Sequence, residues 1–512
     1  MRGAFEQGPL DRSEWRWALG WGAVVVALAC LPFIYAQAAA PAGRTFSGFL
    51  INYQDGNSYL AKMRQGYEGE WLFRLAFTPE DQGGLFVFTL YLALGHLARL
   101  SGLSLILVFH LARALSGLFL LVSVYRLAAV FTPDRSARRW AFAIAAFGGG
   151  LAILSLIIGR SDAEIFTPVD LLVPEAIGFY SILSNPHFCL AFALQAWAII
   201  LVLTPPRWNS WIQVGLIAFI GVGIASMAPY LTPVAWVTVA GGVLGSRPIQ
   251  RATVMRVGAL VIPSGLFLAY AFWAMNADPA IAEWAKQNVT PSPPLLDVLL
   301  GLGLWLPFAI VGAWRSYKVS GAKAVLISLS VWLAVTLVLL YVPYALQRRF
   351  IGGVFIPLSV LAGLGVAWQL SKLSRMRIPA LVGLIACGFS SNVIVLLALL
   401  ISPSQADPKV YLTNDEAAAL RWLETQVTPS DVVLADTRLG LFVPGWTGAR
   451  TVYGHPMETI AATVKRSEVE AFYESDDESL LTRYPITYIL NGQPPADWHE
   501  VFRSGEIIVY GR

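Results

Sequence analysis

Apolar runs of membrane-crossing length recur from residue 15 to residue 401 of this chain. A helix needs about 20 mostly apolar residues to cross the hydrocarbon core. In lipid every backbone N–H and C=O must find its partner within the protein, so a chain with many such runs has essentially one option, a bundle of helices. The first run, Trp15–Ala38, follows Arg2, Arg12 and Arg16 and reads as a retained signal anchor. Further runs are Ser104–Ala128, Ala141–Ile158, Pro186–Leu203, Trp211–Met227, Pro229–Leu244, Arg256–Met275, Leu295–Trp314, Lys323–Val342, Phe350–Leu370 and Ile378–Ile401. Charged residues make up only 13% of the chain, against about 25% in soluble domains. The expected class is a mainly α polytopic membrane protein with about eleven transmembrane helices.

Lys and Arg collect in cytoplasmic loops, and this orients the runs. Arg135, Arg138 and Arg139 share one loop; Arg207, then Arg247 and Arg251, Arg315 and Lys318, and Lys372, Arg375 and Arg377 occupy others. All fall on one side only if a further apolar stretch, Gly84–Leu100 with His96 and Arg99, does not cross. That stretch is therefore expected to lie in the outer interface. The N-terminus is then cytoplasmic and the C-terminus extracytoplasmic.

The outer loops carry the polar residues of interest. The first, Ala39–Gly83, holds Asp55, Lys62, Arg64 and Glu68, and Tyr59, Leu60 and Met63 form the apolar face of a surface helix over Asn57–Gly66. The second, Gly159–Asn185, holds Arg160, Asp162, Glu164, Asp170 and Glu175. Another ends in Gln347-Arg348-Arg349, two arginines on the wrong side for the positive-inside bias. After Ile401 the composition turns polar. Residues Ser402–Arg512 read as a small extracytoplasmic α/β domain, beside a transmembrane domain over residues 1–401. Its helices are Asp415–Gln426, capped by Thr413 or Asn414, and Glu458–Tyr473. Its strands are Val432–Ala435, Arg450–Tyr453, Ile486–Leu490 and Ile507–Tyr510.

Group transfer at a membrane face needs a base and a site for a leaving anion. Asp55 is the candidate base for an acceptor hydroxyl. Arg348 and Arg349 present planar donor forks suited to phosphate, although outer-loop carboxylates or lipid headgroups are alternative partners. Asp170, Glu175 and His187 are candidates for binding substrate. Walker A, GxSxG and HExxH spacings are all absent, which leaves ATP-driven transport, serine hydrolysis and zinc proteolysis without support. Cys30, Cys189 and Cys387 sit in apolar runs, and the five histidines, at 96, 110, 187, 455 and 499, lack metal-ligand spacing. A divalent metal is left open, but no spacing supports a site for one, and nothing points to nucleic acid.

Three stretches resemble the GT-C superfamily of polytopic glycosyltransferases, which includes protein mannosyltransferases and lipid A aminoarabinose transferases. One is Tyr53-Gln-Asp55-Gly56-Asn-Ser-Tyr59, an acidic residue soon after the first span. Another is Gln347-Arg348-Arg349-Phe350 with Pro357 following, similar to the family's entry to a late span. The third is the outer domain, whose Thr447–Thr459 segment is similar to extracytoplasmic segments of bacterial members. The resemblance implies transfer of one sugar, with inversion, from a polyprenyl-phosphate carrier to an acceptor lipid, glycan or protein. Arg348 or Arg349 would hold the phosphate. A paired acidic motif and a WWD motif are both missing, which leaves metal dependence and cofactors open and argues against N-linked oligosaccharide transfer. A transporter or flippase for lipid-linked sugars, which would need the arginines but no base, is the alternative, followed by a non-catalytic membrane assembly protein.

Overall fold

The computed structural model describes residues 10–151, 153–157, 168–205, 210–245, 248–319, 323–475 and 477–512. Arg2, Arg160, Asp162, Glu164, Arg207 and Arg247 lie outside the described residues. The chain forms two compact units. One comprises Met1–Cys30, Arg113–Leu268 and Thr290–Ala398; the other comprises Leu31–Ala112, Ala269–Val289 and Leu399–Arg512.

Among the described residues, six helices are long and apolar enough to cross a membrane, or up to eight if two bent pairs each count as one span. The expectation of about eleven is not reached by length and composition among these residues, for two physical reasons. Leu231–Gly245 and Lys323–Leu339 are true apolar helices of 15 and 17 residues, and at about 1.5 Å per residue they fall short of the roughly 30 Å core. The Ala141–Ile158 run is not one helix at all. Arg135–Phe147 stops at Gly148, and the glycines that follow turn their amides to neighbouring segments: Gly149 N–H donates to the Gly388 carbonyl at 2.7 Å. A Cβ on Gly150 would lie 2.2 Å from the Gly301 carbonyl oxygen, so only glycine permits this approach. The two bent pairs are Leu295–Leu302 with Leu306–Lys318, at 67°, and Arg377–Gly388 with Ser390–Gln405, at 47°.

In the second unit the segment after the first apolar helix folds into a helix, Tyr53–Glu68, longer than the Asn57–Gly66 expected. Leu60 and Met63 are buried as its apolar face requires, and Tyr59 stacks on Tyr91 at 4.2 Å. It packs on the helix Thr89–Ser101 almost backbone to backbone. A Cβ on Gly66 would sit 2.0 Å from the Leu92 oxygen, and one on Gly95 would sit 1.9 Å from the Met63 oxygen. Thr89–Ser101 has 13 residues, or about 20 Å, too short to cross a bilayer.

The C-terminal segment of this unit carries a five-stranded mixed sheet. Its order is Arg450–Thr451, Val432–Leu434, Tyr488–Leu490, Ile507–Gly511 and His499–Ser504, with the first three strands parallel and the last two joined antiparallel. His499–Ser504 escapes sequence reading because it is a largely exposed edge strand in which four of the six residues are polar. Thr413 caps the Asn414–Gln426 helix through a reciprocal capping box with Glu416. The next long helix begins at Ala462, four residues later than expected. First-loop residues Ala61, Ala76 and Phe77 share one core with Leu420, Val433 and Leu441.

Candidate functional site

Asp55 stands in the first turn of the Tyr53–Glu68 helix, where the helix dipole favours a carboxylate. Its side chain is 38% exposed, and its Oδ1 lies 3.8 Å from Nε2 of His455. His455 is buried, with its ring packed on Phe77. Its Nδ1 accepts the backbone N–H groups of Met457 and Glu458, at 3.1 and 3.2 Å. A nitrogen facing two donors carries no proton, so in the neutral ring the proton sits on Nε2. Burial lowers the His455 pKa; Glu458 and Asp55 oppose that shift and Lys62 reinforces it.

The segment His455–Thr459 is a self-bonded turn. Thr459 N–H donates to the His455 carbonyl at 2.9 Å, and the Thr459 hydroxyl accepts the His455 N–H at 3.3 Å. This turn explains the late start of the following helix. Glu458 leaves it sideways to meet the helix face that carries Asp55. Its Oε1 accepts from Lys62 Nζ at 2.6 Å and from the Ser58 hydroxyl at 2.5 Å. Lys62 also donates to Ser58 Oγ at 2.6 Å, and its ammonium lies 4.7 Å above the Phe88 ring and 5.2 Å above the Phe73 ring. The spacing 55, 58, 62 places all three side chains on one helical stripe.

In the first unit the structure brings together three of the residues singled out in sequence. Arg348 and Arg349 lie on the short 3-10 turn Gln347–Ile351, and Glu175 on the turn Pro174–Ala176. Glu175 Oε1 is 3.5 Å from Arg349 Nη1 and 3.9 Å from Arg348 Nε. The carboxylate is almost enclosed, at 2% exposure, whereas the arginines are 30% and 24% exposed. Gly353 N–H donates to the Glu175 carbonyl at 3.0 Å, and Arg348 N–H to the Thr290 carbonyl at 3.2 Å, which fixes both turns. Glu175 therefore stands between two partly exposed guanidinium groups.

Asp170 and His187 are both buried in the same unit. Asp170 Oδ2 accepts the Gly150 N–H at 2.8 Å and the Ser391 hydroxyl, tying its short helix to the glycine turn. His187 is the second residue of the Pro186–Leu203 helix, its ring 4.3 Å from that of Phe188. Among the described residues no three His, Cys, Asp or Glu side chains converge so as to hold a metal ion.

Sequence reasoning does not select Ser58, Lys62, His455 or Glu458. The available signal is the spacing His455-Pro-Met-Glu458 within the Thr447–Thr459 segment, which places an imidazole and a carboxylate three residues apart in a turn rich in hydrogen-bonding groups.

No protein-family model matches the chain, and no curated protein matches it. Among solved structures, ArnT from Cupriavidus metallidurans in the apo state is similar, with a TM-score of 0.51 and 13% identity over 96% of this chain and 97% of that one. The same protein bound to undecaprenyl phosphate gives a TM-score of 0.49, with 14% identity over 96% and 98%. Arabinofuranosyltransferase AftD from Mycobacteria gives 0.53, with 13% identity over 99% of this chain and 40% of that one. This chain thus spans about two-fifths of the AftD chain. The present chain shares the fold of ArnT and of the arabinofuranosyltransferase AftD.

Proposed function

We propose that this chain, a multi-pass membrane protein with the GT-C fold, moves one sugar from a polyprenyl-phosphate carrier to an acceptor hydroxyl on the outer membrane face. The observation that carries the reading is Asp55, a partly exposed carboxylate at a helix N-terminus beside a buried neutral imidazole. A carboxylate so placed is open to a substrate and lies at the positive end of the helix dipole.

In this reading Asp55 takes the proton of the acceptor hydroxyl as the oxygen attacks the anomeric carbon. The bond from that carbon to the phosphate oxygen breaks, polyprenyl phosphate leaves, and the anomeric configuration inverts. Arg348 and Arg349 receive the negative charge that grows on the departing phosphate. Glu175 offsets one of their two charges when the phosphate is away. Asp170 and His187 help shape the sugar or acceptor site. ArnT, whose fold is similar, has been solved with undecaprenyl phosphate, and a carrier of that class suits the two guanidinium groups here. The N-terminus is assigned to the cytoplasm and residues 402–512 to the outer face, following the loop charges.

The test is transfer by the full chain in lipid nanodiscs, supplied with undecaprenyl-phosphate-linked hexoses, pentoses and aminopentoses and with lipid and glycan acceptors. Release of undecaprenyl phosphate should depend on acceptor and fall about 10²–10⁴-fold in Asp55→Asn. Full transfer by that variant at normal membrane levels removes Asp55 as the base. Movement of lipid-linked sugar across the bilayer without any product identifies a transporter instead.

A further inference from the structure

We propose that His455 is a positioning residue for Asp55, its Nε2–H closing onto Oδ1 and leaving the other carboxylate oxygen to face the acceptor. The proposal rests on the reading of Asp55 as the base.

Three observations carry it. The direction of the imidazole is set: Nδ1 is taken by the N–H groups of Met457 and Glu458, so the only proton the neutral ring can offer is on Nε2. That donor is buried and has no hydrogen-bond partner among the described residues. An enclosed donor left unmet is costly, and the carboxylate at 3.8 Å is the group able to meet it. Finally, the two partners differ in freedom. His455 is held by its turn, and the turn is held to the Asp55 helix by Glu458 through Lys62 and Ser58. Asp55 is the partly exposed member, so a rotation of its side chain closes the gap.

The neutral state of the ring matters to the chemistry. Protonating Nδ1 would set it against two backbone donors, and burial also lowers the His455 pKa. A neutral donor orients a carboxylate without cancelling its charge, so Asp55 loses rotational freedom without facing a full positive charge on the ring. An imidazolium would hold the carboxylate by charge and blunt it as a base.

The chain has five histidines, so ¹⁵N-histidine spectra of the whole protein in nanodiscs are tractable, with His455→Asn giving the assignment. The proton should sit on Nε2, and the Nε2 signal should move in Asp55→Asn. A proton on Nδ1, or an Nε2 signal unmoved by Asp55→Asn, overturns the proposal without reference to activity. Two substitutions then separate positioning from turn structure in the transfer assay with undecaprenyl-phosphate-linked sugars. Gln offers an N–H where Nε2 stood but no acceptor in place of Nδ1, while Asn does the reverse. His455→Gln should keep kcat within about threefold, and His455→Asn should lose about tenfold in kcat with KM unchanged. The opposite order, Asn active and Gln impaired, assigns His455 to the turn alone and overturns the proposal. Full transfer by Asp55→Asn removes the base reading, and the spectra still decide whether the pair exists.

Discussion

Lys62 and Glu458 are 396 residues apart in the chain, yet Nζ and Oε1 meet at 2.6 Å with the two side chains only 1% and 12% exposed. This buried ion pair joins the Asp55 helix to the His455 turn. Removing one partner strands the other charge away from water, which costs about 3–5 kcal/mol for pairs of this kind. Lys62→Met is therefore expected to lower the melting temperature of the purified protein sharply. The double variant Lys62→Met/Glu458→Met, which leaves no charge behind, should recover most of the loss. A Lys62→Met protein that melts like the wild type contradicts this account of the pair.

The same cluster predicts how stability follows pH. Burial alone would raise the Glu458 pKa, but the Lys62 charge, His455 and two hydrogen bonds outweigh it and hold the carboxyl below its usual range. A depressed carboxyl contributes stability above its unfolded pKa, near 4.3, and loses it as pH falls through the folded value. His455, also depressed, behaves alike in sign: its contribution is complete above about 6.5 and is lost on acidification. Melting temperatures should thus hold through neutral pH, decline below about 6.5, and decline further below about 4.3. Glu458→Gln should abolish the second decline and keep the first; a profile unchanged by that substitution counts against the assignment.

Glycine contacts give a prediction free of any functional reading. A methyl on Gly95 would meet the Met63 carbonyl oxygen at 1.9 Å, and backbone gives way less readily than a side chain. Gly95→Ala should destabilise the protein by about 1–3 kcal/mol through overpacking. Gly20 and Gly215 lie inside helices, and a Cβ added at either would meet nothing within 4 Å. Their Ala variants should be neutral or slightly stabilising, since Ala is the better helix former. Equal melting temperatures for Gly95→Ala and Gly20→Ala would show that the two helices are less closely packed than described.

What is legible in the sequence is governed by local physics. Pro186–Leu203 has the same bounds in sequence and structure because its apolar run ends at proline on one side and polar residues on the other. Thr413 is among the expected caps because a capping box is written within four residues. Apolar runs interrupted by glycine are harder: Gly148, Gly149 and Gly150 keep the hydropathy high while turning the backbone out of the helix. The sites divide in the same way. Arg348, Arg349 and Glu175 stand out because charges near span ends are scarce, and they come together. His455 and Glu458 do not, because Asp55 lies 400 residues before its partner, a pairing no local pattern encodes.

The arginine pair gives the most direct test of the lipid-phosphate reading, because binding is measurable without knowing the sugar or the acceptor. Arg349 makes the closer approach to Glu175, at 3.5 Å, and each guanidinium is partly exposed. If the pair receives a polyprenyl phosphate, loss of one charge-assisted contact of about 1.5–3 kcal/mol weakens binding about 10- to 150-fold. Arg349→Ala and Arg348→Ala should each show such a loss for undecaprenyl phosphate in nanodiscs, read by competition with a fluorescent polyprenyl phosphate. Arg349→Lys should recover only part of the affinity, since an ammonium cannot reproduce the two-pronged donor geometry. Glu175→Gln, which removes one negative charge from beside the arginines, should bind the phosphate more tightly than the wild type. Undiminished affinity in both alanine variants would assign the arginines to Glu175 alone, a structural pair with no part in holding the carrier.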